Sequence, residues 1–292
     1  MIGIIFLAQT IRIAMPYFFA AAGGVVSERV GIIGLSLEGF MLTGAFCTVL
    51  GSYYSGDPWI GLLCGIAGGM AAALILAVAT IRFRADQVVA GIAINLLAIG
   101  ATRFFLRLFF NSSSNSPRVV GFGGEQSAGG LFATFGNPIV WLGLITLPVL
   151  GLVLYRTPFG LRLRAVGEHP QAARSLGVSV NRLRYIGVIL SGALAGLGGA
   201  YLASDQHQFT DGMTAGRGFI ALAAVIFGRW DPKRVALACL LFAAAETLQI
   251  QLQGLQLVPS QFVEMIPYVL TIIALVGVVG RASPPAALGK ME

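Results

Sequence analysis

Long apolar runs, separated by short polar or glycine-containing joints, fill most of the chain. Stretches 2–22, 35–52, 59–80, 86–109, 138–155, 183–203, 235–253 and 261–280 are each long enough to cross a hydrocarbon core of roughly 30 Å as a helix. Each predicts a spanning segment. A further run, 219–228, is about half that length and does not cross alone. Non-helical backbone survives at membrane depth only inside protein or beside water, so 205–228 reads as a broken or re-entrant element. The expected fold is all-α. It is a polytopic membrane helical bundle of about 8–10 spanning segments, with 1–292 as one membrane domain.

Composition agrees: 57% of residues are hydrophobic and 11% charged, against about a quarter charged in soluble domains. The apolar start, MIGIIFLAQTIRIAMPYFF, has no basic residue before its run and reads as a retained first helix. Cys47, Cys64 and Cys239 all lie in apolar runs without metal-ligand spacing and read as packing residues. The net charge of +7 comes mostly from arginine. In such a chain it marks cytoplasmic loops and headgroup contacts, not nucleic acid.

Charge gathers most densely in 156–184, which carries Arg156, Arg162, Arg164, Arg174, Arg182 and Arg184. Arg82, Arg84, Arg229, Lys233, Arg234, Arg281 and Lys290 fall on the same side if 219–228 counts as a crossing. The positive-inside rule puts that side, with the C-terminal end, in the cytoplasm. It predicts nine crossings starting from outside. Arg103 and Arg107, near the outer end of 86–109, fit this pattern less well. The 111–137 loop, rich in Ser, Gly and Asn, is expected to be irregular and extracytoplasmic.

Small residues recur at helical spacing. Gly61, Gly65 and Gly69 form one line; Ser191, Ala195 and Gly199, with Gly192 and Gly196 beside them, form another. Such lines let helix backbones approach closely, within the bundle or against a partner subunit.

Polar groups within spans need a reason. Gln87, Gly91 and Asn95 share one face of 86–109, with Thr102 close to it. Glu246, Gln249 and Gln253 form a second stripe, and Ser36 and Glu38 lie in the glycine-flanked run 34–39. Two readings stand: a hydrophilic path for a polar solute through Ser36, Glu38, Gln87, Asn95, Glu246 and Gln249, or interhelical hydrogen bonding. Enzymatic motifs are absent: the sequence has no HExxH, no GxSxG and no phosphate-loop lysine, and its two histidines, His169 and His207, fall on opposite sides. ATP hydrolysis would need another subunit.

Within the basic stretch, 168–177 reads as a short helix with Glu168 and Pro170 at its start and Gly177 at its end. Ala172 and Ala173 give it a smooth face. It suits a partner's groove, or else a position on lipid headgroups.

Four stretches resemble the permease subunits of ABC importers for branched-chain amino acids, simple sugars and nucleosides. They are SERVGII (27–33) leading to LEG (37–39), ADQVVAG (85–91), AVGEHPQAARSLG (165–177) and GRGFIALAAVIFG (216–228). The first and last most resemble the nucleoside-type branch. The chain departs from that branch at Gly34 and Ser36, where Asn and Gly are frequent, and at His169, where Asn is frequent. The resemblance implies a permease of a bacterial-type plasma membrane that works by alternating access and is not itself an enzyme. It implies no cofactor, since ATP is bound by a partner ATP-binding cassette subunit. Within the cytoplasmic segment 156–182, it implies that Ala165, Gly167, Glu168, Pro170, Ala172, Ala173 and Gly177 form the contact with that subunit. It further implies a second permease subunit in a heterodimer and a substrate-binding lipoprotein. Rival readings are a sugar or branched-chain amino acid permease of the same family, and a stand-alone secondary transporter using Glu38 or Glu246.

Overall fold

The computed structural model describes residues 2–122, 135–255 and 283–290. Their architecture is all helical. α1 (Ile2–Arg29), α2 (Leu37–Ser55), α3 (Pro58–Ala77), α4 (Gln87–Phe110) and α5 (Pro138–Arg156) come first. Two short helices follow, α6 (Pro158–Glu168) and α7 (Pro170–Ser175), then α8 (Val180–Gln206), α9 (Arg217–Phe227) and α10 (Pro232–Leu255). Six helices among the described residues are long and apolar enough to cross a membrane; α2 and α9 complete the bundle. The expected span 261–280 lies outside the described residues.

Local chemistry sets the joints. Asp57, Asp86 and Asn137 cap α3, α4 and α5 through their side chains, and proline opens α3, α5, α6 and α7, where its missing N–H leaves nothing unpaired. α3 ends in a π turn, Val78–Arg82, after which Arg84 adopts φ +55. The break at 205–228 takes the form of a half-helix. α8 ends at Gln206, 207–216 forms a bridge and turns, and the 11 residues of α9 finish the crossing. That helix is about 16 Å long at 1.5 Å per residue.

The two glycine lines meet inside the molecule. α2, α3 and α8 form the tightest part of the bundle, and side chains would not fit between them. A Cβ on Gly196 would stand 2.7 Å from the Gly65 carbonyl oxygen, and one on Gly44 would stand 2.5 Å from Gly196 Cα. Close backbone approach of this kind is the main source of helix association where lipid removes the hydrophobic driving force.

One end of the bundle collects Arg29, Arg84, α6, α7, Trp230 and the segment 283–290. Ala287 N–H donates to Gly167 O at 2.9 Å, and Gly289 N–H to Gly31 O at 3.2 Å. The opposite end collects Asp205, His207 and the start of the 111–137 loop. The described start of that loop, 111–122, is held to the segment after α8. Its first part runs antiparallel to 207–211, with Ser116 N–H donating to Phe209 O at 2.9 Å and Val119 N–H to His207 O at 2.8 Å. Of the two arginines that fit the charge pattern less well, Arg103 has an acidic partner here, and Arg12 at the same end has one too. Arg103 pairs with Asp211 and Arg12 with Asp205, both at 2.8 Å.

Candidate solute path and coupling surface

Between α1 and α2 the chain is unwound over 30–36 yet buried, so its backbone groups need partners other than water. Side chains from two helices, α1 and α4, supply them. Gln87 Oε1 accepts from Ile33 N–H at 2.9 Å, and its Nε2 donates to Gly31 O at 3.3 Å. Asn95 Oδ1 accepts from Gly39 N–H at 2.8 Å, while its Nδ2 donates to Leu35 O at 2.9 Å. Ser27 Oγ donates to Ile32 O at 2.9 Å. Glu28 accepts from Gly34 N–H at 3.1 Å and from the Trp230 indole. The spacing of Gln87 and Asn95 on α4 thus lets one helix face hold two points of one unwound strand. Ser36, fully buried at the head of α2, has a hydroxyl with no hydrogen-bond partner among the described residues.

The N-terminus of α9 meets this break. Glu38 Oε1 accepts from Gly216 N–H at 2.8 Å and Oε2 from Gly218 N–H at 2.6 Å. A carboxylate there satisfies N–H groups that have no helical acceptor and faces the positive end of the helix dipole. Gly216 sits at φ +81, which glycine adopts without strain, and a side chain on Gly218 would overlap the Glu38 backbone. Between these glycines, Arg217 reaches the other way. Its Nη2 donates to Glu246 Oε1 at 2.7 Å, and Glu246 Oε2 accepts from the Tyr17 hydroxyl. Arg217 and Glu246 are about one-fifth exposed. From the opposite end, an open cavity of about 240 Å³ bordered by Gln9, Arg12, Tyr201 and Asp205 reaches Arg217.

The structure therefore brings Ser36, Glu38, Gln87 and Asn95 together at the break and joins Glu246 to them through α9. Gln249, half-buried, lies one turn further along α10. Glu28, Tyr17, Arg217 and Trp230 belong to the same assembly and were not singled out from sequence. The depth of Arg217 depends on the turns at 207–216, which no local pattern predicts. The signal available for it was an arginine opening an apolar run too short to span, with a glutamate inside a later span.

The basic end presents the second surface. Instead of one helix over 168–177 there are two, with an elbow at His169. Glu168 closes α6, where its carboxylate lies 3.8 Å from Arg29 Nη1, and Pro170 opens α7. Gly177 follows at φ +80, as a helix-ending glycine does. Gly167, Pro170 and Ala173 are buried and Ala165 is half-buried, and Gly167 lies directly against the Arg29 carbonyl. These residues seat the elbow. The outward surface is Gln171, Ala172, Arg174, Ser175, Leu176 and Gly177, with Leu176 84% exposed.

Three of the four sequence stretches singled out above meet at the unwound segment, and the fourth is pinned to it through Arg29. Residues 6–275 match the family described as branched-chain amino acid transport system / permease component. Among curated proteins, the chain is 41% identical to the guanosine ABC transporter permease protein NupQ of Bacillus subtilis, covering 98% of this chain and 95% of that one. It is 38% identical to the nucleoside ABC transporter permease protein NupC of Lactococcus lactis, with the same coverage. A metal-chelate type ABC transporter solved in an inward-facing conformation has a similar fold, with a TM-score of 0.55 at 13% identity over 92% of this chain and 84% of that one. With nearly its whole length matched, the chain belongs to the family of branched-chain amino acid transport system permease components and is a multi-pass membrane protein.

Proposed function

We propose that the chain is the membrane-spanning subunit of an ATP-driven importer for nucleosides. The observation that carries the substrate class is the full-length identity of 41% and 38% to permeases named for guanosine and nucleosides. The basic end faces the cytoplasm, as the concentration of arginine there supports. The outward surface of α7, with exposed Leu176 at its tip, docks an ATP-binding cassette subunit, which binds and hydrolyses the ATP. A second permease covers the exposed apolar face of α4, on which Val89, Leu96 and Phe104 stand. A substrate-binding lipoprotein delivers solute to the opposite end.

In this reading the solute path runs beside the α9 N-terminus. Glu246 and Gln249 border it. Ser36, Glu38, Gln87 and Asn95 hold the backbone that shapes it. Alternating access then moves the half-helix, because the two polar bonds at its N-terminus, to Glu38 and Glu246, are side-chain bonds that a rearrangement exchanges without unfolding a helix. A partner biases the two states only through contacts that differ between them, and α7 offers such contacts.

The test is uptake of labelled guanosine and uridine by cells expressing the chain with its ATPase, second permease and lipoprotein. Saturable uptake that needs an active ATPase and ignores ribose and leucine is the expected result. Competition by ribose or leucine would overturn the substrate class. Uptake by the chain alone, driven by an ion gradient, would overturn the ATP-driven mechanism.

A further inference from the structure

Residues 285–290 fold into two successive turns, with Leu288 N–H donating to Pro285 O at 3.0 Å and Lys290 N–H to Ala287 O at 3.1 Å. Pro284 and Pro285, each with φ fixed by its ring, stiffen the approach to them. This compact piece touches both the elbow between α6 and α7 and the unwound segment 30–36. Ala287 N–H donates to Gly167 O at 2.9 Å, and Ala286 N–H reaches a Glu168 carboxylate oxygen at 3.3 Å. Two residues on, Gly289 N–H donates to Gly31 O at 3.2 Å, an oxygen that also accepts from Gln87 Nε2. Ala287 is 4% exposed, and Leu288 packs on the hydrophobic core.

The backbone chemistry explains why the contacts fall there. Gly167 lies in the last turn of α6, where a helix leaves its carbonyls without donors, and Ala287 supplies one. Gly31 O belongs to buried backbone that no helix pairs. A Cβ on Gly31, at φ +90, would stand 3.0 Å from Ala287 O, and one on Gly289, at φ +77, would stand 3.3 Å from Ile33 Cδ1. Glycine avoids both the strain and the crowding. The two donor residues, 287 and 289, are at most about 7 Å from each other, so the elbow and the break cannot draw apart without losing a bond. We propose that 285–290 is a coupling strap, in which Ala287 and Gly289 are positioning residues that make the elbow beneath α7 and the unwound segment move as one body. The join is separate from the Arg29 contacts with Gly167 and Glu168, and it uses no residue of the outward surface of α7. It rests on the reading of that surface as the ATPase docking site, and it adds the means by which movement there reaches the break.

The experiment measures hydrogen exchange and ATPase activity of the assembled transporter in nanodiscs, with and without ATP and solute-loaded lipoprotein. Ala287→Pro removes the N–H that reaches Gly167 and lies outside every helix described. Gly289→Val loosens the other end, because a β-branched residue at φ +77 is strained and would meet Ile33. Ala287→Gly keeps the N–H and serves as the control. In the wild type, ATP is expected to change amide exchange at 171–177 and at 31–34. In both strap variants the change at 171–177 should remain and the change at 31–34 should be lost. Stimulation of ATPase activity by loaded lipoprotein should fall at least about fivefold, with basal hydrolysis unaltered, while Ala287→Gly should match the wild type. Wild-type responses at both segments in Ala287→Pro and Gly289→Val would overturn the strap. So would a fall of basal and stimulated activity in equal proportion, which would make the segment a packing element only. Absence of any protection at 171–177 when the ATPase subunit joins the wild-type chain is a different failure: it would overturn the docking reading, and the strap with it.

Discussion

Replacing Glu38 with Gln removes about half of what holds the N-terminus of α9. Each carboxylate oxygen accepts one backbone N–H, from Gly216 at 2.8 Å and from Gly218 at 2.6 Å. Hydrogen bonds to a charged acceptor contribute about 1.5–3 kcal/mol each, and an anion at a helix N-terminus adds about 0.3–2 kcal/mol. Glutamine has the same shape but only one acceptor oxygen, so its NH₂ opposes one of the two N–H groups. The expected loss is about 2–4 kcal/mol for Glu38→Gln and about 3–5 kcal/mol for Glu38→Ala, which leaves both N–H groups without a protein partner. At roughly 2–4 °C per kcal/mol, the glutamine variant should melt about 4–16 °C below the wild type. Thermal unfolding in detergent measures the shift, and hydrogen exchange at 216–220 locates it, since protection should fall there first. A Glu38→Gln protein that melts within about 1 °C of wild type, with those amides still protected, would refute the capping argument.

Three further outcomes follow from the same geometry. Asn95→Leu leaves the Gly39 N–H and the Leu35 carbonyl unpaired at about 1–3 kcal/mol each, so both melting temperature and nucleoside uptake should fall; normal values for both would show that the break holds without the amide. Leu176→Asp changes an 84% exposed side chain, so stability should move by no more than about 0.5 kcal/mol, while ATPase activity stimulated by solute and lipoprotein should drop sharply. Unchanged stimulation in the assembled transporter would count against docking at α7. Gly196→Leu should abolish the monodisperse, folded protein altogether, because Gly65 and Gly69 leave no room for a side chain there; size-exclusion chromatography after solubilisation is the check.

The helices were legible because length and hydropathy are properties of contiguous residues. The half-helix was legible for the same reason, since 219–228 is too short to cross and its flanks are rich in glycine. What the polar side chains bond was not legible. Gln87 and Asn95 stand on one face by spacing alone, yet their partners are backbone groups more than 50 residues away. Glu28 and Trp230 meet across 202 residues, and nothing local to either marks the other. The internal shape of the basic stretch differs from the single helix expected over 168–177. Glu168 could be placed at the start of a helix by its charge, whereas it ends α6: Pro170 disfavours helical backbone at His169, and the Glu168 carboxylate there meets Arg29 and the Ala286 N–H.

The outward surface of α7 and the half-helix α9 lie in different parts of the fold but are joined by a short series of contacts. Gly167, at the base of the elbow, rests on the Arg29 carbonyl, and Glu168 pairs with the Arg29 guanidinium. Arg29 donates to the Trp230 carbonyl at 3.0 Å, and the Trp230 indole donates to Glu28. Glu28 holds Gly34, two residues before the head of α2, and Glu38 one turn further on caps α9. Adjacency alone does not demonstrate coupling. What makes this route more than adjacency is that its middle is unwound backbone held by side chains, the part of the bundle least constrained by helical hydrogen bonds. Elsewhere, along the α2, α3 and α8 contacts, glycines leave no slack for rearrangement. If α7 is the docking surface proposed above, a force applied there would meet a rigid triad on one side and an exchangeable set of hydrogen bonds on the other, and displacement would follow the second.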